Sequence, residues 1–232
     1  MHLAEKKKEF TTTKKLWKLL RDRRVSKKIY ESFRSKVKKY KELLKVLTLI
    51  RQVDHYTFVS SINIAFVVSK MMMVDNKFDR KIADIFFYAL VHDVGKIKVS
   101  KITNKASKLT EQEFALVRQH PIFSYKLLLQ FGLESNSILY AMQTHERFDG
   151  NGYPQRLIGN DIEPLAQIIA IAEMYNALSS IRPHRAAFYP VEVKNKISQE
   201  EDRAFGSSYV RLFAENFTPY RKGVEVELAN GV

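Results

Sequence analysis

The chain contains no cysteine. That excludes a disulfide framework, a zinc ribbon and a thiol nucleophile, and it leaves the redox compartment open. It also lacks a long hydrophobic run: no window approaches ~18 uninterrupted apolar residues, and the apolar stretch 62–74 is broken by Ser69 and Lys70. The Lys-rich first 20 residues carry no continuous apolar segment, so no signal peptide is read there and a cytoplasmic protein is the expectation. No internal repeat is evident. Acidic residues are scarce at the start, where residues 1–50 hold 17 Lys and Arg against 5 Asp and Glu. The remainder holds 22 against 20, so the basic excess belongs to an N-terminal arm and the body is close to neutral. Nucleic acid or an anionic membrane surface would suit such an arm. No aromatic-interleaved pattern or nucleic-acid motif accompanies the charge, so a solvated helical face is expected and nucleic acid is not.

What is present is enough for a core. With 232 residues, 45% of them apolar, the chain can bury one domain and carry an appendage. The spacing of Ile29, Phe33, Val37, Tyr40, Leu44 and Leu47 predicts a helix with a narrow stripe. That stripe would pack on the body or on the same helix of a second copy, which makes a homodimer an expectation. A second helix is predicted over 53–74, with His55 near its start. A third, 79–94, closes on His92-Asp93-Val94-Gly95-Lys96, with Gly95 as its stop.

A polar loop over 96–109 leads to a capping box at Thr110 and Glu113. The helix it opens reaches His120-Pro121, where proline suits the first position of the next, and that one is stopped by Gly132. A further helix is predicted over 137–146. Two glycines, an asparagine and a proline then mark 147–154 as a loop. Pro164 opens an apolar helix containing Glu173, a turn follows at 182–185, and weaker helices cover 191–203 and 208–217. Residues 223–232 alternate as a strand, whose edges cannot be satisfied alone, so the chain is expected to continue. The fold class predicted is all-α with an N-terminal basic helix and a short β-like C-terminal tail. The divisions expected are an arm over 1–50, a domain over 51–222 and the start of a β extension over 223–232.

Burying the His92 imidazole beside the Asp93 carboxylate is costly without a partner. A divalent metal suits both, since neutral histidine offers one nitrogen and aspartate two oxygens that can bridge two ions. Lys96, one turn on, would hold positive charge near any anion such ions engage. His55, His120, His145 and Glu173 complete a set of candidate ligands drawn from separate helices. Five of the six histidines fall within 55–184. Hydrolytic two-metal sites need this mixture of imidazoles around a bridging aspartate.

His55, His92-Asp93-x-Gly95-Lys96, His120-Pro121 and His145-Glu146-x-x-Asp149-Gly150-x-Gly152-Tyr153-Pro154 together resemble the HD-GYP branch of the HD phosphohydrolases. The resemblance extends through Asn104-Lys105, Leu109-Thr110 and the run from Ile171 to Leu178, and on to Arg182-Pro183-His184-Arg185. It implies an HD-type helical bundle holding two or three iron or manganese ions. The implied reaction is hydrolysis of the bacterial messenger cyclic di-GMP to the linear dinucleotide pGpG, to GMP, or to both. Under it, His55, His92, Asp93, His120, His145 and Glu173 are metal ligands, and His92, Asp93 and Lys96 are catalytic. Lys96 would contact the scissile phosphate, and Asp149 and Tyr153 are expected to bind substrate, Tyr153 by packing against the ligand or the site wall. Arg182 and Arg185 would take the second phosphate or a guanine edge, for which a planar guanidinium fork is suited. Other signalling proteins are implied as partners.

The chain departs from that pattern. Arg51 stands where the family often has a glutamate four residues before its first histidine, and a guanidinium cannot ligate. Two ions rather than three are therefore expected. Thr144 replaces one of two adjacent histidines, Glu173 replaces an aspartate, Phe58 an arginine and His184 a tyrosine. Two readings of different class stay open on the sequence: a metal-dependent cyclic di-GMP phosphodiesterase, or a degenerate module that binds cyclic dinucleotide or partner proteins without turnover. The same hydrolysis on another cyclic dinucleotide is a narrower third.

Overall fold

The computed structural model describes residues 35–217, apart from 37, 75–81, 104, 106 and 181–185. The early stripe residues Ile29, Phe33 and Val37, the turn with Arg182, His184 and Arg185, and the tail after 217 lie outside the described residues. Everything described is helix, turn or loop, with two isolated bridges (Asp149 with Ile158, Glu201 with Phe205) and no ladder. The all-α expectation holds. Among the described residues no helix is long and apolar enough to cross a membrane.

The helices are α1 (Lys41–Val53), α2 (His55–Val74), α3 (Ile82–Val91), α4 (Ser100–Thr103), α5 (Glu111–Val117), α6 (His120–Gln130), α7 (Ser135–Gln143), α8 (Pro164–Ser179), α9 (Pro190–Ser198) and α10 (Ser207–Asn216). In α1 the buried Leu43, Leu47 and Ile50 recur at helical spacing and pack on α2. The division drawn at 50/51 therefore falls inside a helix whose apolar face is core. Asp54 separates α1 from α2, its carboxylate accepting from the Thr57 N–H at 2.9 Å and the Thr57 hydroxyl at 2.6 Å. Those bonds satisfy donors that the first turn of α2 leaves over.

Helix α2 is the post of the bundle. Phe58, Ile62, Ala65 and Val68 are buried on one side and Ile64 and Met71 on others, so it is apolar nearly all round. It packs against α1, α3, α8 and α10. Helix α8 is buried almost as thoroughly through Ala166, Ile168, Ile169, Ile171 and Ala172. Together α2 and α8 set the frame onto which the shorter helices bring their ends.

Local expectations around Gly95 need correction. Gly95 does not stop α3, which ends at Val91; it sits inside a 3-10 helix, Val94–Lys98. A Cβ there would fall 2.2 Å from the His120 carbonyl oxygen and 2.3 Å from the Ser124 nitrogen. The missing side chain is what lets α6 lie against this turn, and the Gly95 N–H donates to Ser124 Oγ at 2.9 Å. The segment read as a polar loop from 96 starts with that 3-10 helix and then α4. Other punctuation holds: the Thr110 capping box closes through Glu113, at 3.2 and 2.9 Å. Gly132 ends α6 with φ +78°.

Candidate metal centre

Four helices deliver the chemistry to one place. His92 and Asp93 follow the last residue of α3, His120 opens α6, His145 lies just past α7, and Glu173 projects from the middle of α8. His92, Asp93 and His120 are 1%, 4% and 2% exposed. Candidate ligand atoms form two groups of three, Asp93 with His120 and His145, and Asp93 with His92 and Glu173, within 4.8 Å in each group. Asp93 is common to both. Its Oδ1 lies 3.2 Å from His120 Nε2, and its Oδ2 lies 3.7 Å from His92 Nε2.

The far side of each ring fixes what the near side offers. His92 Nδ1 lies 2.6 Å from the Ala89 carbonyl, and His120 Nδ1 lies 2.7 Å from that of Val117. A carbonyl only accepts, so both Nδ1 atoms carry hydrogen, and in the neutral rings Nε2 is left with its lone pair. Both Nε2 atoms lie near carboxylate oxygens, His92 Nε2 3.2 Å from Glu173 Oε1 and His120 Nε2 3.2 Å from Asp93 Oδ1. His120 Nε2 also lies 2.8 Å from His145 Nε2, which in the neutral ring can donate to it. A lone pair facing a carboxylate oxygen needs a proton or a cation between them. The nitrogen and oxygen donors, with backbone anchors behind the rings, fit divalent transition metals.

The electrostatics agree. Burial alone would raise the Asp93 carboxyl, but the Lys96 ammonium and the two adjoining imidazoles outweigh it and hold Asp93 well below the usual carboxylate range. Lys96 is ion-paired with Asp93. Burial would lower its pKa, and the carboxylates of Asp93 and Glu173 overcome that and raise it. Burial pulls His145 down to about 4, which the nearby Glu173 carboxylate does not offset, so the ring is neutral at ordinary pH. For His92 burial acts the same way, yet Asp93 and Glu173 reverse it and the pKa is raised.

The loop after α7 closes over this cluster. The Tyr153 N–H donates to the His145 carbonyl at 3.1 Å. Its ring stacks on the His145 imidazole at 5.1 Å with 10° between planes. Gly152 makes that fold possible, since a Cβ there would fall 2.3 Å from the Arg147 nitrogen and 2.4 Å from Glu146 Cα. The buried Glu146 carboxylate accepts from the N–H groups of Gln155 at 2.6 Å and Leu157 at 3.0 Å. The Arg118 guanidinium lies 4.8 Å from the Tyr153 centroid. Burial raises the Tyr153 hydroxyl to about 12.

A cavity of about 520 Å³ opens beside the cluster, lined by Asp93, Lys96, His145, Tyr153 and Glu173 on the ligand side. Across it α2 presents Tyr56, Thr57, Ser60 and Ile64. Two sequence-predicted residues are not at this place. His55 is exposed at the first turn of α2 and joins neither group of three. The face of α2 toward the cavity repeats at 56, 60 and 64, and His55 stands off it. Arg51, reckoned from His55, does not line the cavity either. Asp149 is exposed and turned into its own loop, accepting from the Asn151 N–H at 3.0 Å. Sequence reasoning missed Ser60, Arg118, Arg147 and Glu200. The Asp54–Thr57 cap was the available signal for α2, because it sets where the helix starts and so which residues face inward.

A family model described as HD domain matches residues 34–208. A cyclic di-GMP phosphodiesterase of Pseudomonas aeruginosa is 28% identical over 205 residues, covering 88% of this chain and 49% of that protein. A cyclic di-GMP phosphodiesterase response regulator of Xanthomonas campestris is 40% identical over 105 residues, covering 43% of this chain and 27% of that protein. The 3'3'-cGAMP-specific phosphodiesterase 1 of Vibrio cholerae is 38% identical over 118 residues, covering 50% and 27%. The chain thus spans about half the length, or less, of these relatives. Among solved structures, an HDG"Y"P protein from Bdellovibrio bacteriovorus superposes with a TM-score of 0.57 at 15% identity, covering 81% of this chain and 67% of that one, a likeness of fold. Matched over most of its length by that family model, the chain belongs to the HD domain family.

Proposed function

We propose that this chain is a metal-dependent phosphodiesterase acting on a cyclic dinucleotide, cyclic di-GMP in the first place, with pGpG, GMP or both as product. The observation that carries the reading is Asp93, one carboxylate shared by two groups of potential ligands. A carboxylate in that position can bridge two cations. The relatives named as cyclic di-GMP phosphodiesterases support the same substrate.

The proposed ligands are His92, Asp93, His120, His145 and Glu173, holding two divalent ions, iron or manganese. When bound, such ions acidify water and offset charge on phosphoryl oxygens. The chain's own side chains supply the rest. Lys96, kept protonated by Asp93, would place its ammonium on the scissile phosphate. The Nδ1–carbonyl bonds hold His92 and His120 in one tautomer, so neither ring must reorganise. Tyr153 walls the cavity and fixes the plane of His145. Asp149 braces the loop rather than the ligand. Arg182 and Arg185 remain proposed contacts for the second phosphate, and a homodimer through the N-terminal helix and other signalling partners remain proposed associations.

The test is one preparation purified without oxygen and supplied with Fe(II) or Mn(II). It should hold roughly two ions per chain and release linear dinucleotide or GMP from cyclic di-GMP. Tight messenger binding with neither metal nor product would replace this reading with that of a non-hydrolytic receptor.

A further inference from the structure

The cavity contains a second polar pair that the proposed hydrolysis does not use. Arg147, two residues after His145, and Glu200, in the loop after α9, both line it. Arg147 Nη2 donates to Glu200 Oε2 at 2.9 Å. The two side chains are 36% and 25% exposed. Glu200 Oε1 has Arg203 Nη1 only at 4.0 Å, beyond hydrogen-bond range. Arg147 Nε is 3.7 Å from Asp149 Oδ1, also out of range.

The pair is not needed to join its two loops. The Phe148 N–H donates to the Ala204 carbonyl at 3.1 Å, and the Asp149 N–H to that of Arg203 at 2.9 Å. Backbone therefore already ties 148–149 to 203–204, and a half-exposed ion pair adds little to that tie. The same cavity is also lined by apolar groups, Ala170, Met174 and Ala177 of α8 and Phe205, alongside Glu173 and Asn176 of that helix. A planar ring can lie on those apolar groups and meet the charged pair edge-on.

We infer that Arg147 and Glu200 form a guanine-reading subsite in this cavity. Guanine offers N1–H and N2–H donors on one edge and the O6 and N7 acceptors on the next. A carboxylate accepts from the first edge, and an arginine fork donates to the second. Adenine sets its N1 acceptor against the carboxylate and its N6 donor where O6 would meet the guanidinium, keeping only the N7 acceptor. Hypoxanthine keeps O6, N7 and N1–H but lacks the N2 amino group. The subsite rests on the cyclic-dinucleotide reading and adds which base that reading requires.

The test is calorimetric titration of GMP, IMP and AMP into the full chain loaded with Mn(II). GMP should bind about tenfold or more tightly than AMP, with IMP between them. Glu200→Gln should cut the GMP-over-AMP ratio by about tenfold, because its amide sets a donor against guanine's donors. Arg147→Lys keeps the charge, loses the fork and should also narrow the ratio. Equal binding of GMP and AMP by the unsubstituted chain overturns the inference. So does a full preference retained in both variants at unchanged melting temperature. A chain that prefers GMP yet hydrolyses no cyclic dinucleotide would sink the hydrolase reading and leave the subsite standing. One that hydrolyses cyclic di-GMP and cyclic di-AMP equally well would do the reverse.

Discussion

Two walls face each other across the same cavity, and they are built from different chemistry. The wall made by the end of α3, the start of α6, the turn after α7 and the middle of α8 carries imidazoles and carboxylates. The wall made by α2 carries Tyr56, Thr57 and Ser60, hydroxyl groups that hydrogen-bond but leave charge uncompensated. Asn176 of α8 leans to the second wall, donating to Ser60 Oγ at 3.1 Å. The difference makes the first wall the place for the proposed ions and leaves the other to shape the proposed ligand. A histidine near the right point in the sequence, as His55 is, does not belong to the first wall unless its helix turns it inward.

Removing Asp93 should produce the largest effect. Both groups of three lose their common member, so Asp93→Ala should take metal content from roughly two ions per chain to near none, with phosphodiester turnover at background. Elemental analysis and product chromatography on the same sample check it. An Asp93→Ala protein that keeps both ions would mean that the two walls do not divide the labour this way.

A pH experiment on the metal-free protein probes the ligand wall more finely. His145 has a folded-state pKa of about 4 against 6.5 in the unfolded chain, chiefly through burial. The unfolded state therefore binds the extra proton between those values, and the stability tied to the neutral ring is full above pH 6.5 and lost as pH falls toward 4. His145→Phe removes this titration while keeping a ring against Tyr153. Relative to that variant, the unsubstituted chain should lose up to about 3 kcal/mol between pH 6.5 and 4, read by urea unfolding across the range. Parallel curves for the two proteins would show that His145 is not buried as neutral imidazole.

Gly95→Ala tests how closely the ligand wall is assembled. The added methyl would meet backbone of α6 at 2.2 and 2.3 Å, and backbone cannot step aside as a side-chain tip can. A loss of about 1–3 kcal/mol in thermal unfolding is expected, together with weaker metal retention because His120 belongs to the displaced segment. An unchanged melting temperature would show that the 3-10 turn and α6 are looser than their contact implies.

Much of this architecture was legible in the residues. Pro164, Gly132 and the Thr110–Glu113 box act within a few residues of themselves, so local rules found them. The ligand set was legible in type, since imidazoles and carboxylates in such number have few other uses in a neutral body. Longer-range geometry was not. Gly95 read as a helix stop because nothing local reveals that α6 passes 2.2 Å from where its Cβ would be. The helix read to 146 ends at Gln143, leaving Thr144, His145 and Glu146 in a turn where Glu146 can bind two loop N–H groups. Arg118, Arg147 and Glu200 come from three separate segments, and no spacing rule relates them.

The smallest expected effect is the most pointed. His55→Ala removes an exposed imidazole from the first turn of α2, where Asp54, not His55, supplies the capping bonds. Stability should stay within about 0.5 kcal/mol, and metal content and turnover should match the unsubstituted chain. The reason is angular: successive α-helical residues are turned by about 100°, so a side chain five places before Ser60 cannot share its direction. Loss of an ion in His55→Ala would require the start of α2 to unwind and swing the ring toward Asp93. Since Asp54 and Thr57 hold that start by two hydrogen bonds, Asp54→Ala is the companion variant. If His55 reaches the ions only when its cap is broken, metal content would become sensitive to His55 in the Asp54→Ala background alone.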